Sequence, residues 1–143
     1  MKEPTKEGYK VIFCKLLNTD PSKFNYNDFM KFYIMSLDLW MFSEGTTKGH
    51  VIVYDITGVS LGHATRINPL GLKKFLFYLQ DALPVRLKGI HYLNTNAFLD
   101  MILNMAKPFM KKELVELVRI LLVYEITSNN SFINLISWSH DTL

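Results

Sequence analysis

The stretch from His50 to Leu93 restricts the possible folds more than any other part of the chain. It opens with HVIVYD, in which Val51 to Tyr54 are four consecutive apolar residues. A strand with one wet face alternates, whereas an unbroken apolar run is the pattern of a parallel strand covered on both faces. Gly58 and Gly62 then mark a loop. Asn68 precedes Pro69, an N-cap followed by a residue whose missing N–H costs nothing in a first helical turn. Leu72, Phe75, Leu76, Leu79 and Leu83 recur at helical spacing, with Lys73, Lys74, Gln80 and Asp81 on the other side and Pro84 as a stop. Val85 to Leu93 alternates and reads as a second strand. Two strands joined by a helix of this length predict a right-handed βαβ unit. The fold class is therefore α/β, with one layer of mixed, mainly parallel sheet and covering helices.

The flanking segments extend this pattern. Tyr9 to Leu16 is rich in β-branched and aromatic residues and predicts a strand, closed by a turn at Asn18 to Ser22. Asn25 or Asn27 caps a helix running to about Phe42. Met30, Tyr33, Ile34, Leu37 and Met41 form one stripe of it, while Phe29, Phe32 and Trp40 cover much of the other side. A helix apolar nearly all round is expected to lie between two apolar neighbours, one of which is a ligand or a further domain. Ala97 to Ala106 predicts a helix with Phe98, Met101, Ile102 and Met105 on one stripe, broken at Pro108 and resumed from Lys111 to Val118. Residues 119–143 differ in character, being free of Gly and Pro and rich in Ile, Leu, Ser and Asn, and fit a strand, an Asn-Asn turn and another strand. The expected division is an N-terminal segment 1–8, a domain 9–118 and a C-terminal tail 119–143.

At 143 residues the chain suffices for one domain and one core. Hydrophobic residues make up 49% and charged residues 20%, which excludes a disordered chain. The mean hydropathy of +0.10 is oily for a domain this small, and implies a generous core or an apolar cavity. A net charge of +3 is too mild to imply nucleic acid. Cys14 is the only cysteine, so no internal disulfide forms and a reducing compartment fits; the thiol is read as buried. The start MKEPTKEG lacks the apolar core of a signal peptide, and no run approaches the ~18 apolar residues of a membrane span. The expectation is a cytoplasmic protein, monomeric, that associates only transiently with membranes.

Catalytic signals are weak. Gly58-Val59-Ser60-Leu61-Gly62 matches the letters of a nucleophile elbow, which requires a serine on a sharp turn directly between strand and helix. Ser60 instead lies five positions beyond Asp55, and the next helix cap arrives only at Asn68. Asp81 or Asp100 with His140 would complete a triad order, but His140 lies in the tail that differs in character, and the chain is small for a hydrolase sheet. His50, His63, His91 and His140 lack zinc-like spacing and read as structural, hydrogen-bonded histidines. No catalytic residue, metal or cofactor is assigned, and the chain is read as not an enzyme.

The blocks GYKVIF, DPSKF, GHVIVYDITGVSLGH, NPLGLKKFLFYLQDALPVRLKGIHYLN and KPFMKKEL resemble the CRAL-TRIO lipid-binding domain, in its branch of alpha-tocopherol transfer protein and retinaldehyde-binding relatives. The resemblance runs from about Tyr9 to Leu117. Its specific parts are the D-x-x-G after the second strand and the P-x-R-x-K-G-I-H-x-x-N block. It implies a sheet forming the floor of a lipid pocket, helices over it, and a mobile gate helix from Ala97 to about Lys112. By position the pocket wall would comprise Met30, Tyr33, Leu37, Ile52, Tyr54, Ile67, Phe75, Tyr78, Leu79, Leu83, Val85, Leu87 and Ile90. A hydroxyl of Tyr33, Tyr54 or Tyr78 is placed to orient a polar head. Arg86, Lys88, Lys107, Lys111 and Lys112 match a region that contacts phosphoinositide headgroups. Two departures stand out: the helical lobe that usually precedes the Tyr9 block is missing, and the sequence after KPFMKKEL diverges, so tail residues inherit no role and the sheet edge is left open if the closing strand is absent.

The expected function is to hold a hydrophobic small molecule or lipid, a tocopherol, retinoid or similar, and to transfer it between membranes. A basic patch docks on anionic phosphoinositide surfaces, and nucleic acid is not a partner. The alternatives are a truncated, non-transferring interaction module or fragment and, behind it, a serine hydrolase at Ser60.

Overall fold

The computed structural model of the chain describes residues 4–121. The strands are β1 (Lys10–Lys15), β2 (His50–Asp55), β3 (Leu87–Leu93) and β4 (Val118–Leu121). They form one sheet in the order β1-β2-β3-β4, and all three pairings are parallel. The helices are α1 (Tyr26–Glu44), the short α2 (Leu61–Ala64), α3 (Pro69–Phe77, continued by a π-helical turn at Tyr78–Ala82), α4 (Ala97–Ala106) and α5 (Lys112–Leu117). This is the α/β architecture that the βαβ pattern predicts.

Local chemistry sets the boundaries. Asn25 accepts from the backbone N–H of Asn27 and Asp28 at the start of α1, Asn68 from Leu70 at α3, and Asn96 from Phe98 and Leu99 at α4. Each asparagine satisfies N–H groups that the first helical turn leaves without partners. The loop read between Gly58 and Asn68 contains α2, a single turn too short to announce itself by periodicity. Pro108 ends α4 in a 3-10 turn, Lys107–Phe109, as its ring and missing N–H require.

Register sorts the strand residues into two faces. Ile12, Ile52 and Ile90 lie side by side, as do Cys14, Tyr54 and Tyr92. These face the helices and join Tyr26, Leu72, Leu76, Leu79, Ala106 and Leu114 in the main core. On the other face Val11, Val51, Val53 and Leu93 make a second buried cluster. The four apolar residues of β2 are thus divided between both faces, as a covered parallel strand demands.

The outer side of α1 has no cover among the described residues: Met35, Leu39 and Phe42 are exposed, Phe42 to 90%. Only the stripe with Tyr26, Tyr33 and Leu37 is buried. On α4 the buried positions are Leu99 and Ala106, with Ile102 half-buried between them and Met101 exposed. The buried face is thus offset by about one position from the stripe read in the sequence. A fourth strand, Val118–Leu121, pairs with Ile90–Leu93, in line with the strand read at the start of the C-terminal segment. The rest of that segment, with its suggested Asn-Asn turn and His140, lies outside the described residues.

Candidate functional site: an apolar cavity between the first helix and the sheet

A cavity of about 540 Å³ opens between α1 and the sheet. Pockets for small apolar ligands span roughly 300–1,000 Å³. Its sheet wall is Ile12, Cys14, Tyr54 and Tyr92, and its helix wall is Met30, Tyr33, Ser36, Leu37 and Trp40. Phe24, Phe29, Ile67, Leu72 and Phe75 close one side, while Ile56, Val59, His63, Leu99 and Ile102 come from the strand ends, α2 and α4. The space lies toward the carboxyl ends of β2 and β3, where ligands of open α/β sheets usually bind.

Aromatic contacts make the wall stiff. Tyr54 stacks on Tyr92 with centroids 5.2 Å apart, Tyr33 meets Phe75 edge-on at 5.5 Å, and Phe24 lies edge-on to His63 at 5.4 Å. Such pairs add to area burial. The hydroxyls of Tyr33 and Tyr54 hydrogen-bond each other at 2.6 Å. Burial raises the Tyr33 and Tyr54 phenols well above the ordinary range and pushes the Cys14 thiol up to about 11, the last against an opposing bond with Tyr33. These groups therefore stay neutral, and the wall carries little charge. Asp55 and Lys15, also on the lining, neutralise one another at 3.0 Å.

The residues assigned by resemblance divide in two. Met30, Tyr33, Leu37, Tyr54, Ile67 and Phe75 line the cavity. Ile52, Leu79 and Ile90 are instead buried in the solid core, and Leu83 and Leu87 pack against it. Val85 is half-buried in the lead into β3. The Tyr78 hydroxyl donates to Asp38 at 2.7 Å, clasping α3 to α1. Burial, with that bond, pushes this phenol up to about 12. Of the three tyrosines considered for a polar head, two bond to each other and the third is held by Asp38. Cys14 and Tyr92 were findable, since both are register neighbours of Tyr54; Phe24, His63 and Leu99 reach the cavity only through the path of the loops.

The basic residues are partly neutralised. Lys111 is ion-paired with Asp81, and Lys112 lies 3.8 Å from Glu116. Gln80 ties the same corner by accepting from the Lys111 N–H and donating to the Phe109 carbonyl at 3.1 Å. Lys107 donates to Asn104 at 3.0 Å, and Lys88 sits 5.9 Å from the Tyr9 ring centroid. Arg86 is exposed at the entry to β3.

Ser60 and His63 are in contact, with Oγ 3.0 Å from Nδ1. The pair belongs to the first turn of α2, where the Ser60 backbone N–H also donates to Nδ1 at 3.2 Å. Asp81, one of the acids considered for a triad, is engaged with Lys111.

A profile of the CRAL/TRIO domain matches residues 1–134. Alpha-tocopherol transfer protein-like from Homo sapiens is 33% identical over 108 residues, which are 75% of this chain and 32% of that protein. Clavesin-1 from Rattus norvegicus is 27% identical over 105 residues, 73% of this chain and 30% of the relative. The chain thus spans about a third of the length of these curated relatives. The crystal structure of Sfh5 superimposes with a TM-score of 0.57 at 19% identity, covering 80% of this chain and 43% of that one, a likeness of fold.

Proposed function

Because this chain belongs to the CRAL/TRIO domain family, we propose that it binds a hydrophobic small molecule or lipid in the cavity between α1 and the sheet and passes it between membranes. The observation that carries the reading is the apolar void of about 540 Å³, walled by Met30, Tyr33, Leu37, Tyr54 and Phe75. Burying an apolar chain there contributes about 25 cal/mol per Å² removed from water. The function requires no bond to be made or broken, and the protein is read as a carrier, not an enzyme. Relatives named alpha-tocopherol transfer protein-like support a tocopherol-like cargo.

In this reading α4 is the gate. Its Leu99 and Ile102 reach the cavity, so displacement of this one helix opens the interior. Arg86, Lys88 and Lys107 bring the gate to an anionic, phosphoinositide-bearing surface. A basic residue near such a bilayer contributes about 1 kcal/mol, which gives weak, reversible docking suited to a shuttle. Lys111 and Lys112 add less because Asp81 and Glu116 oppose them. Reversing Arg86 and Lys88 to glutamate is expected to weaken binding to phosphoinositide liposomes several-fold; unchanged binding removes the docking surface.

Native mass spectrometry of the purified chain tests the central claim. A co-purifying lipid in stoichiometric amount is the expected outcome. A monomer that stays empty when mixed with tocopherol, retinoid and phospholipid refutes the carrier, and an empty, self-associating chain supports an interaction module.

A further inference from the structure

We propose that two copies of this chain pair through the outer face of α1, antiparallel about a two-fold axis at Met35, and that the second copy covers the open side of the cavity. The pairing stands apart from the carrier reading; only the sheltering of cargo rests on it.

Phe32, Met35, Leu39 and Phe42 follow one another at spacings of three, four and three residues. That is the spacing of a helix that packs on another helix along one seam. All four are between 68% and 90% exposed, so none is covered by the described residues. The seam also reaches the cavity. Phe29 and Phe32 line it and are exposed at the same time, at 36% and 71%. The cavity is therefore open along this side of α1, and a helix seated on the seam shuts it.

Charge selects the occupant. Lys31 and Asp38 each precede a seam residue, so both stand on one flank, while Ser36 and Ser43 stand on the other. Like flanks face each other in an antiparallel pair. Crossing at Met35 then sets Lys31 of each copy beside Asp38 of the other, Phe32 against Leu39, and Phe42 against Phe29. A parallel pair would set both charges against serines. Lys31 and Asp38 are exposed, and Asp38 gives one carboxylate oxygen to the Tyr78 hydroxyl and has room to accept more. The face is thus complementary to itself, as a two-fold contact requires. An anionic bilayer fits it poorly, because α1 carries Asp28, Asp38 and Glu44 against Lys31 alone. A strip about 28 Å long and one helix wide is small beside the roughly 800 Å² per partner of a standard interface. The pair is therefore reversible and dissociates at the dilute concentrations of an unfolding measurement.

The test uses the full chain. Sedimentation equilibrium is expected to show monomer at about 1 µM and growing dimer toward about 1 mM. Under mild oxidation Met35→Cys should cross-link copy to copy well ahead of Lys74→Cys, an exposed site on α3. Lys31→Asp and Asp38→Lys each put like charges opposite one another and are expected to weaken pairing roughly tenfold. An equimolar mixture of the two variants should pair again, since every contact in the mixed dimer is of opposite sign. Asp38→Lys also removes the bond to Tyr78, and recovery in the mixture is a reading that a folding defect does not imitate. A chain that stays monomeric overturns the inference, whether its seam binds phosphatidylcholine vesicles or is covered by another part of the chain. Cross-linking no faster than the control, or a mixture that does not recover, also overturns it. The carrier is read separately by lipid content: an empty dimer refutes the carrier and keeps the pairing, and a loaded monomer does the reverse.

Discussion

Asp55 closes β2 by accepting from Thr57 N–H at 3.0 Å, Thr57 Oγ1 at 2.6 Å and Asn94 Nδ2 at 2.8 Å, besides its ion pair with Lys15. Burial opposes its ionisation, but these partners together outweigh burial and hold the carboxyl well below the usual range. The D-x-x-G motif is thereby explained as turn chemistry. Gly58 has φ of +83°, and a Cβ there would lie 2.2 Å from Thr19 Cγ2, so Gly58→Ala is expected to destabilise the protein by at least about 1 kcal/mol in urea unfolding. For Asp55→Asn we expect a loss of about 2 kcal/mol at neutral pH. A carboxyl with a lowered folded pKa stabilises fully above its unfolded value, near 3.9, and loses that contribution as pH falls toward the folded one. The gap between Asp55→Asn and the parent should therefore be full at neutral pH and narrow below about pH 4. A gap that stays constant into acid would show that the charge is not what matters. His50 and His63, both lowered chiefly by burial, act with the same sign from about pH 6.5 downward.

At the scale of single elements, α4 and α1 invite opposite experiments. Asn96 caps α4 and also donates from Nδ2 to the Val59 carbonyl at 2.8 Å, so one side chain sets both the start of the helix and its seat against the loop after β2. Asn96→Ala is expected to cost about 1–2 kcal/mol and to raise hydrogen exchange in Ala97–Ala106 ahead of the sheet. Uniform change across the molecule would argue against α4 as a separately mobile gate. The outer face of α1 carries Leu39 at 68% and Phe42 at 90% exposure. Replacing both with Ser is expected to shift stability by no more than about 0.5 kcal/mol per site while reducing binding of a hydrophobic dye. A large loss of stability would mean that the face is covered in solution.

For the molecule as a whole, the decisive question is whether the space behind α1 receives a guest. Ser36 faces it from the helix, and its hydroxyl is satisfied by the Phe32 carbonyl at 2.7 Å. Ser36→Phe should narrow the void, weaken lipid uptake and leave the circular dichroism and unfolding midpoint near those of the parent. Unchanged uptake would place the cargo elsewhere. Much of the frame was legible beforehand: the asparagine caps, Pro69 and the apolar run in β2 announce elements through interactions only a few residues apart. The stripe Met30, Tyr33, Leu37 was legible for the same reason, since helical period alone brings those side chains together. The seats of Ile52, Leu79 and Ile90 were not. They share the sheet face of Tyr54 or the helix face of Phe75, and the pattern cannot distinguish an apolar residue packed against core from one facing a void.

The sequence by itself determined the α/β class, the parallel connection from β2 to β3 and the identity of the apolar faces, because periodicity, caps and turn residues act over one or two helical turns. Only the tertiary structure decided where the core stops and the cavity begins, that Lys111 meets Asp81 and Lys15 meets Asp55, and that Phe24 and His63 reach the lining. Each of those depends on groups distant along the chain meeting in space, and the offset of the buried face of α4 or the path of the loop through α2 is set by packing that no local pattern encodes.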